Sequence, residues 1–172
     1  MKNITSKLTD ELPPSISAAY HPIEKQVYLN CSLASKHKNQ RGGNRLHLAH
    51  EYTHMLFDLL PKESQDKIVE KVIAHSNYSK LKELVTNLGY NEKENDWDTK
   101  NDRRVVGEIL AIRSDFRRRA AYEKAAGNDI SCVDYFLELV EPIAEGYIDN
   151  LGFNKPVSAA KAKHRELELI KQ

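Results

Sequence analysis

Apolar residues recur at helical spacing through most of the chain, and they alternate with polar residues only near its beginning. The first helical pattern spans residues 45–60 and ends where Pro61 would break a helix. The same spacing predicts four further helices, at residues 62–75, 78–88, 103–126 and 131–150. We expect the last of these to bend or restart at Pro142, and we expect a terminal helix from Val157 onward. The chain is therefore predicted to be rich in helix.

Two short stretches near the beginning, residues 18–20 and 26–31, have the character of β-strands. In the second stretch, Val27 and Leu29 alternate with more polar residues, which is typical of a half-buried strand. Residues 1–15 are mostly polar and include two consecutive prolines, so we expect them to form a loosely ordered lead-in. Together these elements predict one α+β domain over all 172 residues, with a small N-terminal β-sheet packed on the first helix.

Composition and charge narrow the classes of function. A formal net charge of +1 gives no general attraction to nucleic acid or to an anionic membrane, and neither partner is expected. No apolar stretch reaches the length of a membrane span, and the beginning of the sequence lacks the apolar core of a secretory signal. Two cysteines are too few for a disulfide scaffold. We therefore expect a reduced compartment, either the cytoplasm or export without a classical signal peptide; the oligomeric state stays open.

The first predicted helix contains the sequence His50-Glu51-Tyr52-Thr53-His54. Two histidines four residues apart lie one above the other on a helix face, so their imidazoles can bind the same metal ion. The glutamate between them lies beside that ion, where it can act on a metal-bound water. The alternative is a pair of polar residues on a solvated face. The pair with its intervening glutamate favours the metal site, and Zn²⁺ is the predicted cofactor because two imidazoles and a carboxylate suit it.

Residues 50–58 resemble the active-site helix of zincin metallopeptidases. They are similar to the gluzincin branch, in which two histidines and a more distant glutamate bind zinc. The metzincin branch is excluded, because Phe57 and Leu60 stand where its longer motif needs glycine and histidine. The resemblance implies a minimal zincin domain of the lethal-factor-like or ImmA/IrrE-like kind. It also implies a zinc-dependent endopeptidase that acts on a protein or peptide substrate, with Glu51 as the general base.

Two glutamates compete for the place of the third zinc ligand. Glu108 borders an apolar helix face that includes Val105 and Ile109, where a carboxylate is costly to bury unless it is paired or metal-bound. The segment 108–111 also resembles the third-ligand helix of lethal-factor-like and ImmA/IrrE-type peptidases. Glu145 is the rival, because residues 145–149 resemble the E-x-x-x-D helix of thermolysin-like gluzincins.

The rival belongs to an acidic stripe that is equally typical of a solvated or salt-bridged helix face. The stripe consists of acidic residues at steps of three or four: Asp134, Glu138, Glu141, Glu145 and Asp149. We therefore favour Glu108, on the argument of burial, with Glu145 second and Asp102 a distant third.

Three further residues are candidates for lining or supporting the site. His47 lies one turn before His50 and either lines the cleft or is an ordinary surface histidine. Asp58 lies one turn after His54 and is either a hydrogen-bond partner that supports the site or a surface acid. Asp115 lies two turns beyond the favoured glutamate and could orient a ligand histidine.

Several features bear on substrate and partner. The 103–126 helix has a basic side, which we interpret as pairing with the acidic stripe of the 131–150 helix in preference to binding nucleic acid. Its residues are Arg103, Arg104, Arg113, Arg117, Arg118 and Arg119. Strand 26–31 is the candidate edge strand along which an extended peptide would pair. A bacterial effector or toxin, or a protease that cuts a regulator, fits the resemblance by analogy.

Two other functions stay open. One is a non-catalytic, zincin-shaped binding or regulatory module, against which the intact Glu51 argues. The other is a metal-dependent hydrolase of a non-peptide substrate. A deep closed pocket would favour that hydrolase, whereas an open groove beside an edge strand would favour a peptidase.

Overall fold

The computed structural model describes residues 6–9, 18–30, 43–88 and 101–153. These parts of the chain contain a three-stranded sheet of β1 (Ser6–Thr9), β2 (Ala18–His21) and β3 (Gln26–Asn30). They also contain the helices α1 (Gly43–Leu59), α2 (Lys62–Ile73), α3 (Tyr78–Asn87), α4 (Asp102–Ala125) and α5 (Ser131–Ala144), followed by a short π-helical turn at Asp149–Phe153. The predicted class, a helix-rich α+β fold with a small N-terminal sheet, is confirmed.

The sheet has the order β1-β3-β2, with β1 parallel to β3 and β2 antiparallel to it. Since β3 is the central strand, the prediction that residues 26–31 form the edge strand is wrong, and β2 is the edge strand that lies against α1. The alternation of Val27 and Leu29 indicates a strand, but it says nothing about how many neighbours that strand has.

The prediction of a loosely ordered lead-in over residues 1–15 is wrong for Ser6–Thr9, which form β1. Ser6 pairs with Val27 and Thr9 with Asn30, so the strand is stabilised by a partner distant in sequence. Four residues are too few to show an alternating pattern, and this long-range pairing leaves no local mark in the sequence. The other residues of the predicted lead-in lie outside the described residues, as does the terminal helix predicted from Val157 onward.

The helices pack around one apolar core. Among the helix pairs, α1 and α4 make the most extensive contact, while β2 and β3 pack on α1. Most positions that face the core recur every three or four residues, as the sequence pattern predicts. The buried cluster contains Phe57, Ile68, Val72, Leu81, Val85, Val105, Ile109, Ile112, Phe136, Val140 and Ile143. This packing places the middle of α1 directly beside the first half of α4.

The helix predicted over residues 131–150 is shorter than expected and ends at Ala144. Pro142 lies inside α5, so the helix does not restart at the proline itself: it ends two residues later at Ala144, and helical residues resume at Tyr147. The chain leaves the helix because Glu145 adopts an extended backbone and Gly146 has φ of +84°, a conformation that favours glycine. This turn returns Ile148 to the core, where it is fully buried.

The basic side of α4 does pair with the acidic stripe. The side chain of Arg113 is 2% exposed and lies 2.7 Å from Glu141 on α5 and 2.7 Å from Asp149 after it. Burial opposes the charge of Arg113, but the two carboxylates outweigh it and raise the pKa of the guanidinium further. Arg117 also lies 3.4 Å from Glu141. The prediction of intramolecular ion pairs is confirmed for these two arginines.

Candidate metal centre

Helix α1 presents His50, Glu51 and His54 toward α4 and β2. His50 is 8% exposed, and the two other residues are partly buried. The same helix buries Met55 and Phe57, and Phe57 belongs to the apolar core cluster. The polar residues of α1 therefore lie at the edge of the core, where two packed elements enclose them on either side.

Three potential ligand groups meet between α1 and α4. The Nε2 atoms of His50 and His54 lie 3.1 Å apart. Glu108 places Oε2 3.2 Å from His50 Nε2 and Oε1 3.2 Å from His54 Nε2. These residues form a group that could hold a metal ion, and both histidines and the favoured third ligand belong to it.

The spacing of these atoms suits a tetrahedral zinc ion. Nitrogen and oxygen ligands bind zinc at about 2.0–2.1 Å, which separates them from one another by about 3.3–3.4 Å in a tetrahedral site. The two imidazole nitrogens, 3.1 Å apart, are close to that value, and each lies 3.2 Å from a different oxygen of Glu108. With one atom taken from each residue, the three ligand atoms lie within 4.8 Å of one another. Within the described residues, Glu108 Oε2 is also buried without a hydrogen bond of regular geometry, although His50 Nε2 lies 3.2 Å away, and such an oxygen is costly to bury. The donor set and the buried oxygen therefore both fit a bound cation.

The electrostatics of the group agree with this interpretation. Burial favours the neutral form of Glu108, but the two histidines outweigh it and hold its pKa at about 2. Burial likewise opposes a charge on His50, but Asp115 and Glu108 raise the pKa of the imidazole to about 10. The site therefore stabilises positive charge among its carboxylates, whether that charge is a proton or a metal ion.

Glu51 lies in the same cleft and has a different environment. Burial raises its pKa above the usual value, while His50 and His54 act in the opposite direction. Its Oε2 atom accepts a hydrogen bond of 2.8 Å from the backbone N–H of Tyr20 in β2. One carboxylate oxygen is thus anchored on the edge strand.

Asp115 lies behind His50, on the side away from Glu108. Its Oδ2 atom is 3.4 Å from His50 Nδ1, so it can hold the proton of that nitrogen and leave Nε2 free as a ligand. In the part of the chain that the structure describes, the other oxygen, Oδ1, is buried without a hydrogen bond. Asp115 therefore lies where it can orient the imidazole of His50.

We expect Asp115→Asn to weaken zinc binding by about 10- to 100-fold, because the amide no longer favours the imidazole form that presents Nε2 to the metal. Titration against a chromophoric chelator of known zinc affinity measures this change. Asp134→Asn, on the exposed start of α5, is the matched control and should bind zinc like the wild type. Equal affinities for both variants would contradict an orienting role.

Asp58 interacts with β2 and the following turn, whereas Asp115 supports a histidine. The Oδ2 atom of Asp58 accepts a hydrogen bond of 2.7 Å from the hydroxyl of Tyr20 and forms a close ion pair with Lys25. The role of Tyr20 was not apparent from the sequence. A tyrosine in a short strand carries no local pattern that relates it to a glutamate 31 residues later.

Two other candidates whose side chains the structure describes, Glu145 and Asp102, do not belong to the group. Glu145 is exposed beyond the end of α5. Asp102 accepts a hydrogen bond of 2.6 Å from the hydroxyl of Tyr78 and lies 3.5 Å from Lys82. His47 lies in α1, but its side chain is outside the described residues.

The group lies in an open cleft of about 730 Å³. One wall comes from β2 and includes Ala18 and Tyr20, while the first turns of α4 contribute Arg103 and Arg104. These arginines also line the cleft without having been predicted as part of the site. Arg103 is held by hydrogen bonds to Gln65 and Asp66 of α2.

Comparison with known proteins gives no identification: no protein-family model, curated protein or solved structure matches the chain. Across residues 6–9, 18–30, 43–88 and 101–153, none of the helices combines the length and apolar character that crossing a membrane requires. The inference of function therefore rests on the chemistry of the site.

Proposed function

We propose that the chain is a zinc-dependent endopeptidase that hydrolyses a peptide bond in a protein substrate. The observation that carries this proposal is the meeting of His50, His54 and Glu108 within 3.2 Å, in an open cleft that also contains Glu51. A structural zinc site would have all four positions filled by protein, whereas three ligands leave one position for water. The resemblance of α1 to the gluzincin helix points to the same chemistry.

Each residue of the site has a role in this proposal. His50, His54 and Glu108 would hold the zinc ion, and Asp115 would orient His50. When bound, zinc supplies a Lewis acid that lowers the pKa of water and polarises a carbonyl. Glu51 would accept the proton of the attacking water and deliver it to the leaving amine.

The edge of β2 supports a peptide as the substrate in preference to a small molecule. The N–H of Tyr20 points to Glu51, so it points away from β3. In an antiparallel strand the backbone groups of alternate residues point to the same side, so those of Ala18 face the cleft as well. Because the Tyr20 N–H already donates to Glu51, an extended peptide would pair with the backbone groups of Ala18 on this edge, and the cleft is open rather than enclosed.

Metal removal tests the proposal. The zinc-loaded protein is incubated with a mixture of peptides from digested proteins, and mass spectrometry identifies new termini. We expect cleavage that stops when 1,10-phenanthroline removes zinc and returns when about one equivalent of zinc is restored. Hydrolysis of small esters without any peptide cleavage would favour the non-peptide hydrolase. A zinc-loaded protein that cleaves neither class would contradict the proposal.

A further inference from the structure

Tyr20 connects the edge strand to α1 at two separate points. Its backbone N–H donates to Glu51 Oε2 at 2.8 Å, and its hydroxyl donates to Asp58 Oδ2 at 2.7 Å. The two acceptors lie seven residues apart on α1, a distance of about 10 Å along the helix axis. We call these two hydrogen bonds the Tyr20 bridge. Lys25, in the turn that follows β2, also contacts Asp58 and so adds a third contact between this hairpin and the helix.

The bridge restricts the conformation of the proposed general base. A glutamate side chain has several rotatable bonds, and the neighbouring histidines attract its carboxylate electrostatically. The hydrogen bond from the Tyr20 N–H holds Oε2 on the side of β2, which leaves Oε1 for proton transfer. This restriction matters for catalysis, because a base must lie within hydrogen-bond reach of the proton that it removes.

The N–H of Tyr20 is itself well placed only if β2 stays against α1. An edge strand of four residues, bonded to one neighbour, opens easily unless another contact supports it. The bond from the Tyr20 hydroxyl to Asp58 supplies that contact. Burial, together with Asp58, raises the pKa of the phenol, so the hydroxyl remains a donor at neutral pH.

We infer that Tyr20 is a positioning residue for Glu51 and that Asp58 acts through Tyr20 to keep the catalytic carboxylate aligned. This inference rests on the proposed peptidase function. It gives Asp58 a role at the site that involves no contact with a ligand histidine. It also makes β2 a part of the catalytic apparatus, in addition to its place in the cleft wall.

Amide hydrogen exchange and enzyme kinetics test the inference together. The variants are Tyr20→Phe and Asp58→Ala, each of which removes the bond between hydroxyl and carboxylate. Tyr28→Phe is the matched control, because it removes a tyrosine hydroxyl that binds Glu24 within the same hairpin. Asp58→Asn keeps an oxygen that can accept from the Tyr20 hydroxyl and serves as the conservative replacement.

We expect the backbone amide at position 20 to exchange at least about tenfold faster in Tyr20→Phe and Asp58→Ala than in the wild type. The same amide should lose its protection in Glu51→Ala, which removes the acceptor. For peptide cleavage, kcat should fall about tenfold in the two bridge variants, with KM and zinc content unchanged. Asp58→Asn should recover part of both losses, and Tyr28→Phe should match the wild type.

The contrary outcomes are distinct from one another. Unchanged exchange at position 20 in Asp58→Ala would show that the bridge does not hold the strand. Faster exchange with wild-type kcat would show that the bridge has no role in positioning Glu51. Either result overturns the inference and leaves the peptidase proposal intact. A zinc-loaded wild type that cleaves no peptide would overturn the proposed function, and the positioning role with it.

Discussion

His54→Ala and Glu108→Ala will lose zinc on dialysis, whereas Glu145→Ala will keep about one zinc ion per chain. The reason is the geometry of the site: each of the first two residues supplies one of three groups that meet within 3.2 Å, while Glu145 is exposed beyond the end of α5. Zinc sites with four ligands bind with about 10–16 kcal/mol. The loss of one ligand should therefore weaken binding by about a hundredfold or more.

Elemental analysis of the dialysed proteins measures zinc content, and competition with a chromophoric chelator measures affinity. Circular dichroism of each variant separates the loss of a ligand from the loss of the fold. If Glu145→Ala lost zinc and Glu108→Ala kept it, the assignment of the third ligand would be reversed. A wild type that binds no zinc, even after reloading, would leave a helical binding module as the better account of the chain.

The part of the site that lies within one helix was predictable from the sequence. His50 and His54 are four residues apart, and helical geometry alone brings such side chains together. Glu108 lies on another helix, and no rule of spacing relates it to His54. The sequence favours Glu108 because a carboxylate on an apolar face needs a partner, and the structure places it 3.2 Å from both histidines.

The remaining features depend on tertiary contacts that have no periodic pattern. The strand β1 exists because it pairs with β3, and its four residues are too few to indicate a strand by themselves. The central position of β3 follows from that same pairing. The role of Tyr20 depends on which side of β2 faces α1, and a one-residue change of register would turn that side away. Sequence patterns therefore predict which residues form helices and strands better than they predict which of these elements pack against one another.

Glu51→Gln should lower kcat for peptide cleavage by about 10²- to 10⁴-fold while leaving zinc content and KM unchanged. Glutamine has nearly the same shape, and its carbonyl oxygen can still accept the hydrogen bond from the Tyr20 N–H. An amide does not accept the proton of the attacking water, so the change removes the base and retains the contacts around it. Steady-state kinetics on a peptide identified in the cleavage experiment measures the effect.

His54→Ala is the informative comparison for Glu51→Gln, because both variants should be inactive, the first through loss of zinc and the second through loss of the general base. Loss of activity with zinc retained would assign proton transfer to Glu51, whereas loss of activity together with zinc would indicate only that the site had failed to form. If Glu51→Gln cleaved peptides at the wild-type rate, general-base catalysis by Glu51 would be excluded. Zinc bound equally by the wild type and Glu51→Gln, with no hydrolysis by either protein, would instead favour the non-catalytic module.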